Sequence, residues 1–445
     1  MKRGRVFQFL LCLISLQLFA QKEFLNDIDT HDEVYDQYIH TARLLTAYPG
    51  YQNINSGLNV DITDPSLNLL PVFPLGSHLS VQLSFDDFSP EDRNYGYSIL
   101  YCNYDWTISS LTAADYLDGF SDDIIQSYNF SNATRQNYRR FDIGFPNDMM
   151  KPLISGNYLF VVFDDDTEEV VLVKRFAIHE TSQQVASGRV TVASAPGKRY
   201  THNELSLEVR TGQLKNYFLP EEIKIVAQQN GRWDNALINI PYSRLDRSTI
   251  YYNQLNTNLF EAGSEFRSFD TRLLLMQGEG VASVQQTDDD YNITLATAKP
   301  KKKTFFINQL DINGGYLISR YNSRNSLLEA DYANVDFSLE SKSGRLNGDV
   351  YILGELNDWN LNEKSKLEYR PETGLYQKRL RLKQGYYNYA FVFKPNIDGA
   401  QASFEMFEGN FSEASNQYRV YVYQKNNGIP LHDKLLQVLT FDINR

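Results

Sequence analysis

Six histidines, two aspartate runs and one tryptophan with polar neighbours are the residues of this 445-residue chain whose types could do chemistry. His31, His40, His78, His179, His202 and His432 show neither the His-Glu-x-x-His nor the His-x-His spacing of a zinc site. Asp164 to Asp166 and Asp288 to Asp290 could attract a hard cation, but they lack the alternating ligands and central glycine of a calcium loop and read as solvated turns. There is no Gly-x-Ser-x-Gly nucleophile elbow and no phosphate loop. Carboxylates are abundant, yet a glycosidase pair needs two of them about 5 to 10 Å apart, which abundance does not supply. Cys102, between Tyr101 and Asn103 in an apolar run with no histidine near it in sequence, reads as a small buried hydrophobe. Trp359, with Asn357 and Asp358 beside it, has the composition of a sugar contact, a flat ring next to hydrogen-bonding groups. Its competing reading, as a core residue of a sandwich, is the favoured one. No catalytic residue, metal or cofactor is expected.

These residues must be positioned by strands. The stretch from Tyr97 to Pro146 begins as an apolar, aromatic strand. It then runs through Tyr104, Asp105 and Trp106 into a mixed segment with Leu111, Ala114, Leu117 and Phe120, and returns to Tyr and Phe before Pro146. The excursion is long for a sandwich loop, and loops of such length are anchored by their own side chains or functional. Trp106, Tyr116, Phe120, Tyr128 and Phe130 therefore have two readings: burial on their own domain, which large rings favour at roughly 150 to 250 Å² each, or a partner surface. After it, NYLFVVFDDDTEEVVLVKRFAIH predicts a β-hairpin about its acidic centre. Earlier strands are expected at Leu58 to Ile62 and Leu79 to Phe85.

Short strands between Gly, Asn, Asp and Pro continue to the C-terminus, so the fold class is all-β, with tandem immunoglobulin-like antiparallel β-sandwiches. The expected division is a signal peptide over 1–20, an N-terminal β-domain over 21–186, a second sandwich over 187–330 and a C-terminal immunoglobulin-like domain over 331–445. Lys2, Arg3 and Arg5 before an apolar Val6 to Ala20 make the signal peptide, which implies export. After its removal only Cys102 remains, so no internal disulfide is expected. A net charge of -12 argues against nucleic acid, and the run KPKKK at 299–303 reads as a solvated linker. No second apolar stretch is long enough for a membrane span.

The run YCNYDWTISSLTAADYLDGF, followed by SYNFSNATRQNY and ISGNYLFVVF, resembles the first domain of the type IX secretion system plug proteins. EFRSFDTRLL at 265–274, VYILGELNDWN at 350–360 and LKQGYYNYAFV at 382–392 extend the likeness over most of the chain. The resemblance implies a periplasmic protein, associated with the outer membrane complex, that closes the inner mouth of a large outer-membrane translocon barrel and catalyses nothing. Tyr104, Asp105, Trp106, Tyr116 and Phe120 are then candidate partner contacts or family-signature residues. The C-terminal part is similar to early-set sandwiches related to glycogen-binding modules, which makes carbohydrate binding through Trp359 the alternative. Sugar-binding members of those modules generally present a second aromatic after the strand matching YNYAFVF, and here KPNIDGAQASFEMFEGNF contains no Trp, with Phe404 and Phe407 as the remnant of such a contact.

Overall fold

Strand Tyr95–Cys102 is buried at every position, because its neighbours cover both of its faces. In the computed structural model, which describes residues 22–47, 70–181, 184–215, 217, 219–301, 305–426, 428 and 430–443, it pairs antiparallel with Gly156–Asp164, which forms the expected hairpin with Val170–His179. Tyr97, Ile99, Tyr158, Phe160 and Val162 point into the core between this sheet and a second one. That second sheet has the order Ile39–Ala47, Ser80–Asp87, Arg139–Phe145, Tyr128–Phe130. Leu100, Cys102, Leu159 and Val161 point the other way and are covered by Leu25 and Trp106, with Trp233 packed alongside. A near-continuous apolar run is what such a doubly covered strand requires. The acidic centre of the hairpin is a turn in which Asp164 Oδ1 accepts the backbone N–H groups of Asp166 and Thr167, both at 3.0 Å. The signal-peptide segment, the strand expected at Leu58 to Ile62, and Lys302 and Lys303 lie outside the described residues.

The other two sandwiches are nested, where the sequence suggested succession. Ala186–Val192, His202–Arg210, Thr249–Tyr252 and Arg244–Asp246 form one sheet of the second unit. Its facing sheet is Ile223–Gln229, Asn416–Asn426 and His432–Ile443, so the last strands of the chain complete the second sandwich. Leu207, Val209 and Ile250 there share a core with Tyr418, Val420 and Val422. The third sandwich is inserted between. Arg267–Asp270, Tyr316–Ile318 and Gly348–Leu353 pair with Gly385–Pro395, opposite a sheet that runs from Val281–Gln286 to Glu368–Arg370. Its core holds Phe269, Phe337, Tyr387 and Phe391. The boundary expected at 330/331 therefore moves. Residues from Arg267 belong with the third unit, and residues from Asn416 return to the second, because each set of strands finds its hydrogen-bonding partner far away in sequence. The protein is all-β, mostly antiparallel, with parallel pairings of Val72–Pro74 to Val170–His179 and of Tyr291–Leu295 to Tyr332–Glu340.

Candidate partner-binding surface

The aromatic excursion splits into an inward and an outward half. Asn103, Tyr104 and Asp105 lead into Trp106, which takes a left-handed φ of 68° and is only 2% exposed. Its ring meets Trp233 of the second sandwich edge-on at 4.9 Å, and the Arg175 guanidinium lies 4.8 Å from it. Asp105 closes the local turn by accepting Thr107 N–H and the Thr107 hydroxyl, at 3.1 and 2.7 Å. Tyr104 donates its N–H to Asp433 at 3.1 Å and sits beside Tyr423, both from the closing strands of the chain. Tyr116, 2% exposed, donates its hydroxyl to the Ile99 carbonyl at 3.1 Å. Burial pushes the Cys102 thiol up to about 12, which leaves it a packing group.

Phe120 turns outward. It belongs to an edge made of Leu117–Gly119, Asp122–Ile124 and Tyr128–Phe130, with Met150–Pro152 paired to the first of these. Asp122–Ile124 is the outermost strand of one sheet and Tyr128–Phe130 of the other. The four Cα steps from Ile124 to Tyr128 span at most about 14 Å, little more than the roughly 10 Å between stacked sheets, so both strands lie on one side of the sandwich. Gly119, at φ 120°, is required here because a Cβ would strike the Met149 carbonyl. On this edge Phe120, Ile124, Tyr128, Phe130, Met149 and Leu153 are 40 to 68% exposed. Phe120 N–H bonds the Met149 carbonyl at 3.0 Å, and Phe130 meets the Tyr128 ring at 5.2 Å. Exposed large apolar residues scattered singly need no explanation, and six on neighbouring strands of one edge make it the candidate interaction surface.

Trp359 occupies a different position from a sugar platform. The turn Glu355–Asn357 delivers two successive left-handed residues, Asp358 at 54° and Trp359 at 61°. Conformations of this kind cost on the order of 1 to 3 kcal/mol each and persist where the surroundings fix them. Trp359 is 9% exposed, edge-on to Phe266 at 5.9 Å with the Arg232 guanidinium 5.2 Å from its ring. Gly314, at φ 80°, makes room for it, since a Cβ there would collide with Trp359 and Phe266. Its neighbours join the third sandwich to the first. Glu355 takes a bidentate pair from Arg43 at 2.7 and 2.9 Å, Asp358 pairs with Lys174, and Asn360 donates to Asp32 and Glu33. Burial raises Asp358 to about 6, with Lys174 opposing. A cleft of about 130 Å³ lies at this junction, lined by Arg43, Arg175, Trp233, Glu355 and Trp359 among others. Among the described residues no group of three or more His, Cys, Asp or Glu could hold a metal ion.

Sequence reasoning missed a second junction between the same two sandwiches. Lys383, within the LKQGYYNYAFV segment, and Asp86 form an ion pair with both side chains fully buried. Tyr332 donates its hydroxyl to Asp86 at 2.7 Å, Arg140 reaches Asp86 at 3.2 Å, and Lys383 donates to the Leu327 carbonyl while lying 4.1 Å from the Tyr138 ring. A lysine next to a glycine and two tyrosines hints at burial, but its partner is 297 residues away.

Residues 59–180, which contain the whole outward edge, match the type 9 secretion system plug protein first domain. No curated protein matches the chain. The crystal structure of a hypothetical protein from Parabacteroides merdae is 27% identical, superposes with a TM-score of 0.84, and is covered over 100% of its length by 94% of this chain. The BSP domain of a biofilm associated protein aligns at 9% identity, 94% and 60% coverage and a TM-score of 0.17. A variant of Salmonella alpha-2-macroglobulin aligns at 10% identity, 96% and 24% coverage and a TM-score of 0.16. The first sandwich therefore carries a match to the first domain of the type 9 secretion system plug proteins.

Proposed function

We propose that this protein is a non-enzymatic, periplasmic accessory of type IX secretion that binds the periplasmic end of the outer-membrane translocon barrel and limits leakage through it. The observation that carries this reading is the apolar edge formed by Phe120, Ile124, Tyr128, Phe130, Met149 and Leu153, which lies wholly within the segment matching the plug family. A plug must present a shaped surface that holds while the channel is idle and lets go when a substrate is engaged. An edge of large apolar rings on a sandwich whose own core is complete has that character, since aromatic residues are enriched where partners meet. The first and third sandwiches are fastened to each other by three ion pairs, Lys383–Asp86 fully buried among them, which makes a body rigid enough to cover an opening. Among the described residues no helix is long and apolar enough to cross a membrane. Deleting the protein while the translocon is retained should make the outer membrane leakier to small dyes. Unchanged permeability in that strain would overturn the reading.

A further inference from the structure

The inserted sandwich is tied to its host where the chain leaves and returns, and the tie contains a carboxyl pair. At the two crossings Gly263 donates its N–H to Asn410 at 2.8 Å, Phe411 donates to the Gly263 carbonyl at 2.7 Å, and Asn416 donates to the Ala262 carbonyl at 2.9 Å. Glu265, on the outgoing crossing and 3% exposed, accepts both the N–H and the hydroxyl of Ser415 on the returning one, at 3.0 and 3.1 Å. All of this falls on Glu265 Oε1. The other oxygen, Oε2, is buried and has no donor. The Glu265 carboxyl lies within hydrogen-bonding reach of another, that of Asp311, whose oxygens accept the N–H groups of Phe266 and Asn313 at 2.5 and 2.9 Å.

Two carboxylates in contact satisfy each other only with a proton between them. We propose that Glu265 and Asp311 share one proton that ties the outgoing crossing, and through Ser415 the returning one, to the inserted sandwich, making the junction of the inserted and host sandwiches a pH-dependent hinge clamp. Glu265 is the member that carries it, because its Oε2–H then donates to Asp311 and removes the orphaned oxygen. Above the titration the proton leaves to solvent, and two like charges face each other across the hinge. The nearby cations are chiefly engaged by Glu408, although the Lys301 charge also favours ionised Asp311. Lys301 Nζ donates to the Glu265 backbone carbonyl and pairs with Glu408 at 3.3 Å, and Arg267 pairs with the same Glu408 at 2.8 Å. Glu408 is buried and ionised, held below the usual range although burial opposes this, chiefly by Arg267 and then Lys301. Burial, and next the Asp311 charge, push Glu265 up to about 7, and burial raises Asp311 as well.

A raised acid is stabilising at low pH, and that contribution is lost as pH rises through its folded-state value, so the clamp holds below about 7 and loosens above it. Hydrogen exchange of the full chain, corrected for intrinsic rates, tests this at the amides of Gly263, Phe411 and Ser415. Their protection should fall about tenfold between about pH 6 and about pH 8, the factor for one titration centred near 7. In Glu265→Gln the amide keeps an acceptor for Ser415 and a donor for Asp311, so protection should not change with pH. Asp311→Asn offers the same test if the first variant folds poorly. Infrared spectra should also show a protonated carboxyl band near neutral pH in the wild type that Glu265→Gln lacks. A pH-independent wild type, or a variant that follows the wild-type fall, would overturn the clamp.

Discussion

The outer edge around Phe130 and the inner junction around Tyr332 are both rich in tyrosine, phenylalanine and charged residues, and they end in opposite environments. At the junction, Tyr138 and Tyr332 stack edge-on at 5.6 Å over a buried Lys383 and Asp86, and every polar group of that ion pair finds a partner. At the edge, Phe120, Ile124 and Phe130 face solvent beside Asp122 and Asp123 with nothing laid over them. Aromatic content therefore does not distinguish a core from a contact surface. What does is whether a second element of the chain arrives to complete the site. The third sandwich arrives over Tyr138; none arrives over Phe130.

The comparison is broken most forcefully at the junction. Lys383→Met leaves Asp86 buried without its lysine and should cost about 3 to 5 kcal/mol in chemical denaturation, the range for removing one partner of a buried pair. Trp359→Ala empties the space between Phe266 and Arg232 and should cost about 3 kcal/mol, as large-to-small core changes do. A stability change below about 0.5 kcal/mol for Trp359→Ala, the size of a surface substitution, would return that ring to the candidate sugar contacts.

A smaller effect should appear with acid. His40 packs on Phe88 at 4.1 Å and near Tyr332, and burial lowers it to about 4 from an ordinary 6.5. Asp86 and Asp36 favour its charged form, while Arg381 and Lys364 oppose it. At His40 the folded state thus binds fewer protons than the unfolded one between these values, so this group's contribution to stability falls as pH drops from about 6.5 towards about 4. The loss should be on the order of 2 kcal/mol and should largely disappear in His40→Phe, which keeps the stack. Parallel melting curves of the two proteins across that range decide it.

The smallest effect on stability is expected at the edge. Phe130→Asp, at a side chain 68% exposed, should shift the unfolding free energy by less than about 0.5 kcal/mol. If it destabilises the fold as much as Lys383→Met, the edge is part of the core after all and the contrast fails.

Local chemistry was legible in the sequence. The DDDTEE turn, the strand around Ile99 and the burial of Cys102 follow from alternation, turn residues and apolar runs, and the structure contains all three. Nesting was not legible. Tyr418, Val420 and Val422 alternate well enough to serve either sandwich, and the choice is made by Ile223–Gln229, about 190 residues earlier. The stretch singled out by the resemblance holds both an inward and an outward half, which the sequence did not separate. Trp106 and Tyr116 are buried, Tyr104 and Asp105 sit at the junction with the closing strands, and Phe120 is the member of that set facing out. Met149 and Leu153 join it through strand pairing, and the adjacent Met149 and Met150 before Pro152 were the one local hint. Arg43, Lys174 and Lys383 give no local signal of their burial, since their carboxylate partners lie 184 to 312 residues away.

The most direct test of the central claim is co-isolation of the outer-membrane translocon with the tagged wild-type protein and with a Phe120→Asp, Phe130→Asp double variant shown by melting to be folded. If the edge is the docking surface, the wild type brings down the barrel in near-equal amount and the double variant leaves it behind. A folded double variant that still carries the barrel at the wild-type level would contradict the account.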